Sequence, residues 1–136
     1  MQDSVRTVLV VEDEDGIRNL MRTLFRLAGF EVISCQDGPE ALDLIRARGG
    51  NIHLVVTDVN LGPEMDGIEM AGSLRAMHPS VKVLYISGDD EQDRIGREVS
   101  SGRAHFMMKP FTPRGLTEKA LAILAQDPIT SEVSFR

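Results

Sequence analysis

Short apolar runs and amphipathic stretches alternate along the whole chain. Val8 to Val11 is a compact valine and leucine run that reads as a buried strand. Ile17, Leu20, Met21, Leu24 and Ala28 then recur at helical spacing, and Gly29 ends that helix. Phe30 to Cys35 predicts a second strand. Asp37 and Gly38 precede Pro39, a favoured first helical residue, and Ala41, Leu42 and Ile45 supply an inward face that stops at Gly49 and Gly50. His53 to Thr57 predicts the third strand. Asp66, with Glu69 three residues on, has the form of a capping box for a helix that buries Ile68, Ala71, Leu74 and Met77 and closes at Pro79. Val81 to Ile86 predicts the fourth strand. Asp89 to Ser101 is the weakest helix, with only Ile95 and Val99 at apolar spacing and Gly96 between them. Ala104 to Met108 predicts the fifth strand. Thr112 caps a last helix with Pro113 at its first position, buried through Leu116, Ala120, Ile123 and Leu124, and Pro128 marks its end.

Strand followed by helix, five times over, predicts an α/β fold: a doubly wound five-stranded parallel sheet covered on both faces, with right-handed crossovers. One domain over residues 1–126 accounts for nearly all 136 residues, leaving 127–136 as a C-terminal tail too short to form another. Nothing repeats at a fixed period. The chain is 42% hydrophobic, a normal value for a packed protein, and its formal net charge of −6 argues against nucleic-acid backbone as the direct partner. No apolar run is long enough to span a bilayer, and Met1 to Thr7 lacks a signal-peptide core. The single cysteine, Cys35, reads as a buried small hydrophobe. With no metal-type cysteine spacing, a reducing cytoplasm is the expected setting.

The chemistry lies in the residues at the carboxyl end of each strand. Ligands of open parallel sheets bind beyond those ends, where strand order reverses. Strand one ends in Glu12-Asp13, strand three in Asp58, strand four in Ser87 and strand five in Lys109-Pro110. A sheet order of 2-1-3-4-5 would bring the three acids into one shallow pocket, with Ser87 and Lys109 approaching from the other side. Carboxylates so close repel unless a cation intervenes, and a hard oxygen-ligated ion such as Mg²⁺ suits them. Asp58 is then available as a nucleophile toward phosphorus, Lys109 as a point charge for a phosphoryl oxygen and Ser87 as a hydrogen-bond donor. Taken singly, each feature has a plainer reading. Acids favour helix N-termini, aspartates favour turns, and a lysine before proline suits an exposed extended position.

Four motifs in order, "VVEDED", "VVTDVN" with "MDG", "YISGDD" and "FMMKPF", resemble the receiver domains of two-component response regulators from about Thr7 to Ala125. The resemblance implies the flavodoxin-like receiver fold. It also implies Asp58 as acceptor of a phosphoryl group from a phosphohistidine on a sensor histidine kinase or phosphotransfer protein. Glu12, Asp13 and Asp58 would hold Mg²⁺, with the backbone carbonyl of Asn60, and Lys109 and Ser87 would bind the phosphoryl oxygens. The same likeness implies a cis Lys109-Pro110 bond and an aromatic switch position at Phe106. Phosphorylation would then reshape the face made by the helix expected over Asp89–Ser101, the fifth strand and the last helix, for a downstream protein or a phosphorylation-dependent dimer. Such a chain is a signalling module that catalyses its own phosphorylation and dephosphorylation, not an enzyme acting on a separate substrate.

Ser87 stands where threonine is commoner, Phe106 where tyrosine is frequent, and the loop from Asp58 to Gly67 is one residue longer than usual. "NLGPEMDGIEMA" and "FMMKPFTP" look like receivers attached to hybrid sensor kinases. The alternatives are therefore a module of a hybrid kinase or a phosphorylation-independent interaction domain. A phosphohydrolase would want a second aspartate where Asn60 stands, and no glycine-rich nucleotide motif comes after strand one.

Overall fold

Five apolar runs become five strands of one sheet. A computed structural model describes residues 5–49, 51–88 and 104–125. Within them the order is β1 (Thr7–Val11), α1 (Asp15–Leu27), β2 (Glu31–Cys35), α2 (Gly38–Arg48), β3 (Leu54–Asp58), α3 (Gly67–Met77), β4 (Lys82–Ser87), β5 (Ala104–Met108) and α4 (Pro113–Ala125). The helix expected over Asp89–Ser101, Gly50, Pro128 and the tail lie outside the described residues. The sheet is parallel throughout with the order β2-β1-β3-β4-β5. Strand order reverses between β1 and β3, which sets a crevice above their carboxyl ends.

Each central strand has a continuous apolar run because the sheet is covered on both sides. Alternate residues point to opposite faces. Leu9, Val11, Val55, Val83 and Tyr85 join Ala41, Ile45, Met70 and Leu74 beneath α2 and α3. Val8, Val10, Leu54, Val56, Leu84 and Ile86 join Met21, Phe25, Leu116, Ala120 and Ile123 beneath α1 and α4.

The helical stripes differ from expectation in two places. In α1 the buried pair is Met21 and Phe25, one turn apart, while Leu20 is 45% exposed and Ala28 is also exposed. Leu20 sits about 100° round the helix from Met21, far enough to leave the sheet. Phe25 also meets Phe30 edge-on, with ring centroids 5.9 Å apart. In α3 the fully buried apolar side chain nearest the N-terminal end is Met70, and Ile68 and Met77 are only half-buried.

The ends obey the sequence signals. The Asp37 side chain accepts the Glu40 N–H at 2.8 Å, and Asp66 and Glu69 form the reciprocal capping box. Thr112 Oγ1 accepts the Gly115 N–H at 2.9 Å at the start of α4. Gly49, at φ 64°, closes α2 in the left-handed conformation that glycine adopts without strain. At the far end of α4 two cations satisfy carbonyls that a helix terminus leaves open. Arg6 Nη1 donates to Leu124 O at 2.9 Å and Lys82 Nζ to Ile123 O at 3.0 Å. No described helix is long and apolar enough to cross a membrane.

Candidate functional site at the carboxyl edge of the sheet

Strand register assembles the site. Val11 stands opposite Thr57 across the β1–β3 pair, so the next residues, Glu12 and Asp58, are neighbours. Asp58 in turn stands opposite Ile86, and Ser87 opposite Met108, one residue before Lys109. The ladder runs one step past the strand ends. Glu12 N–H donates to Cys35 O at 3.1 Å, Val59 N–H to Ile86 O at 3.1 Å and Lys109 N–H to Ser87 O at 2.9 Å. Side chains far apart in sequence are thus fixed by backbone hydrogen bonds to one edge. The strands β3 and β4 end one residue later than the apolar pattern predicts, which places Asp58 and Ser87 in the sheet itself.

Asp58 is 5% exposed. Its Oδ1 accepts the Asn60 N–H at 3.1 Å, and its Oδ2 pairs with Lys109 Nζ at 2.7 Å. Lys109 is half-open, and the Lys109-Pro110 bond is cis. Glu12 is 3% exposed, with Oε2 accepting the Glu14 N–H at 3.1 Å. Burial pushes its carboxyl from the ordinary 4.5 up to about 7, and the charge on Asp58 and a hydrogen bond with Asp13 push the same way. The Glu14 N–H and the Lys109 ammonium act against them. Asp13 is exposed, at the wall of a cleft of about 260 Å³ that the loop after β3 also lines.

Ser87 Oγ is fully buried and has no hydrogen-bond partner. A buried hydroxyl left unpaired is costly, so it marks a place where an acceptor oxygen would be welcome. Phe106 is half-buried. It stands opposite the fully buried Tyr85 in the β4–β5 register and packs on the α2–α3 side of the sheet.

The residues expected at the site therefore converge. Asp58 and Lys109 pair directly, Glu12 feels the charge of both, Asp13 joins through Glu12, Asn60 contributes its N–H, and Ser87 stands at the adjoining strand end. Among the described residues, no group of three His, Cys, Asp or Glu side chains is drawn into a metal cage. Mg²⁺ needs less than that: it keeps several waters and takes one or two carboxylates with phosphate oxygens. An all-oxygen donor set and an under-neutralised Glu12 fit that ion, while the unpaired Ser87 hydroxyl fits an anionic oxygen.

Two further contributors carry little signal in the sequence. Gly67 donates its N–H to Val59 O at 2.8 Å, and a Cβ there would collide with the Asp58 carbonyl oxygen, so only glycine lets the loop return so closely. Arg18 donates from Nη1 to Glu12 O at 3.0 Å and from Nη2 to Asp15 Oδ1 at 2.6 Å. The one clue to it is an arginine in the first turn or so of a helix, where the positive end of the dipole disfavours it.

A doubly wound sheet with paired acids, an aspartate and a lysine at its carboxyl edge defines a receiver-type signalling module. The chain belongs to the response regulator receiver domain family, whose family model matches residues 8–121. It is 35% identical over 131 residues to the alkaline phosphatase synthesis transcriptional regulatory protein PhoP of Bacillus subtilis, covering 95% of this chain and 52% of PhoP. It is 37% identical over 111 residues to the sensor kinase CckA of Brucella abortus, covering 81% of this chain and 12% of the kinase. The chain thus spans about half the length of the regulator and a small part of the kinase. Among solved structures, the receiver domain of NtrX from Brucella abortus is 30% identical with a TM-score of 0.78, covering 87% of this chain and 98% of that one. A receiver domain protein from Clostridium thermocellum has a TM-score of 0.84 at 21% identity, over 93% of this chain and 99% of that one, a likeness of fold alone.

Proposed function

We propose that Asp58 accepts a phosphoryl group from a phosphohistidine on a sensor histidine kinase or a phosphotransfer protein. The observation that carries this reading is Asp58 at the end of β3, buried, with one oxygen 2.7 Å from Lys109 Nζ and an unpaired Ser87 hydroxyl at the next strand end. A carboxylate oxygen of Asp58 attacks phosphorus. The P–N bond to the donor histidine breaks, its electron pair stays on the imidazole, and an acyl phosphate forms on Asp58. Glu12, Asp13, Asp58 and the Asn60 carbonyl would hold Mg²⁺, which when bound neutralises charge on the phosphoryl oxygens. Lys109 exchanges its contact with Asp58 for a phosphoryl oxygen, and the Ser87 hydroxyl donates to another. The Asn60 N–H orients the attacking carboxylate.

The new group brings about −1.5 to −2 charges to the edge. Ser87 moves toward it, the loop after β4 follows, and Phe106 turns inward into the space vacated. The face that includes β5 and α4 thereby changes for a downstream protein or a second copy. Hydrolysis of the acyl phosphate on the same residues resets the domain, so the chain turns over only its own modification. The identity to CckA favours a second setting for the same chemistry, as a receiver within a hybrid kinase phosphorelay, and the identity to PhoP favours a regulator. A cytoplasmic location suits either.

Incubation with acetyl phosphate and Mg²⁺, read by intact-protein mass spectrometry, tests the reading. One phosphoryl group is expected on the wild type and none on Asp58→Asn. No uptake, or uptake unchanged in Asp58→Asn, overturns it.

A further inference from the structure

We propose that Arg18 is a positioning residue for the acidic turn between β1 and α1, setting Mg²⁺ affinity through Glu12 and Asp13 without touching the ion. The inference rests on the phosphoacceptor reading. Besides its hydrogen bond with Asp13, Glu12 is held at three points. Its N–H pairs with Cys35 O, its carboxylate accepts the Glu14 N–H, and its carbonyl accepts Arg18 Nη1 at 3.0 Å. Among these three, the last has another residue's side chain as its partner. The other prong of the guanidinium grips Asp15 Oδ1 at 2.6 Å, so one planar group links the first residue of the turn to the first residue of α1. The Arg18 side chain is 18% exposed, whereas Asp15 is largely open to solvent. A cation three residues into a helix meets the positive end of the dipole, and a cation beside a metal site repels the metal. Both effects oppose an arginine here, so its place is explained by the two bonds it makes.

Charge and position therefore predict opposite signs. If Arg18 acted only as a nearby charge, Arg18→Gln would tighten Mg²⁺ binding and Arg18→Lys would leave it unchanged. If the guanidinium fork holds the turn, both variants lose affinity, because lysine keeps the charge and not the planar pair of bonds. Groups that orient metal ligands typically set affinity by about 10–100-fold, and a loss near the lower end, about tenfold, is expected for both. Asp15→Asn, on an exposed carboxylate, weakens one prong and gives a smaller loss. Arg22→Gln, on the same helix but bonded only to the Asn19 side chain among the hydrogen bonds described, leaves affinity unchanged.

Calorimetric titration of each full chain with Mg²⁺ measures this. Metal-free amide spectra give a second readout, in which the Glu14 resonance moves in both Arg18 variants and not in Arg22→Gln. Should Arg18→Gln fail to fold, Arg18→Lys decides. Tighter binding by Arg18→Gln, or wild-type affinity in Arg18→Lys, overturns the positioning role while leaving the phosphoacceptor reading intact. No Mg²⁺ uptake by the wild type overturns both.

Discussion

Glu12→Gln is expected to stabilise the protein in chelator at alkaline pH. Glu12 is 3% exposed, and its carboxyl is pushed from 4.5 up to about 7. The folded state binds that proton more tightly than the unfolded chain. The protonated form is therefore at no disadvantage below about pH 4.5, and stability is lost as pH climbs through about 7. At about 1.4 kcal/mol for each tenfold change, full ionisation in the fold costs about 3 kcal/mol. Glutamine removes that cost, while its amide oxygen keeps the Glu14 N–H bond. For a chain of this size the gain corresponds to a rise of about 10 °C in melting temperature at pH 8, shrinking to nothing near pH 4.5. Mg²⁺ would reverse the comparison, because the wild-type carboxylate gains a cation that glutamine binds poorly. Thermal melts of both proteins across pH, with chelator and with Mg²⁺, measure it. A mutant that melts lower in chelator at pH 8, or an offset that stays constant from pH 4 to 8, would refute the reasoning.

Lys109→Met leaves Asp58 and Glu12 facing each other without their cation. Since Lys109 is 39% exposed and partly screened, the loss in chelator is only about 1–2 kcal/mol by urea unfolding, and adding Asp58→Asn restores most of it. Removal of Asp58 alone relieves Glu12 but forfeits the 2.7 Å pair, so its net effect is small, and a gain above about 1 kcal/mol would count against the pair. Gly67→Ala drives a methyl into the Asp58 carbonyl and costs about 1–3 kcal/mol; an unchanged urea midpoint would contradict the close approach. His53 Nδ1 accepts the Thr7 N–H at 2.9 Å, and burial, helped by Arg6, holds the imidazole below its ordinary 6.5. Its contribution is present above about pH 6.5 and lost as pH falls. Wild type should therefore lose stability relative to His53→Asn between pH 7 and 5, and parallel stability curves would rule this out.

The pattern of apolar runs gave away the architecture because each central strand is buried on both faces, so burial and sequence coincide. The capping box at Asp66 and the Thr112 cap were equally legible, since both act within four residues. Phe25 was harder to place. Helical spacing admits two overlapping stripes in α1, and only the sheet decides that Met21 and Phe25 face it while Leu20 does not. At the site, Glu12, Asp58 and Lys109 were legible as strand-end residues. Their convergence depends on the registers of β1 on β3, β3 on β4 and β4 on β5, which no local signal encodes. Gly67 showed only as the last residue of "MDG", without the contact it makes, and Arg18 acts through the carbonyl of Glu12, which leaves no mark in a sequence.

Arg6 and Lys82 fasten the final turn of α4 to the amino-terminal rim of the sheet, at the pole opposite Asp58. Both tethers end on backbone carbonyls, so exchanging the side chains of Ile123 or Leu124 would leave them in place.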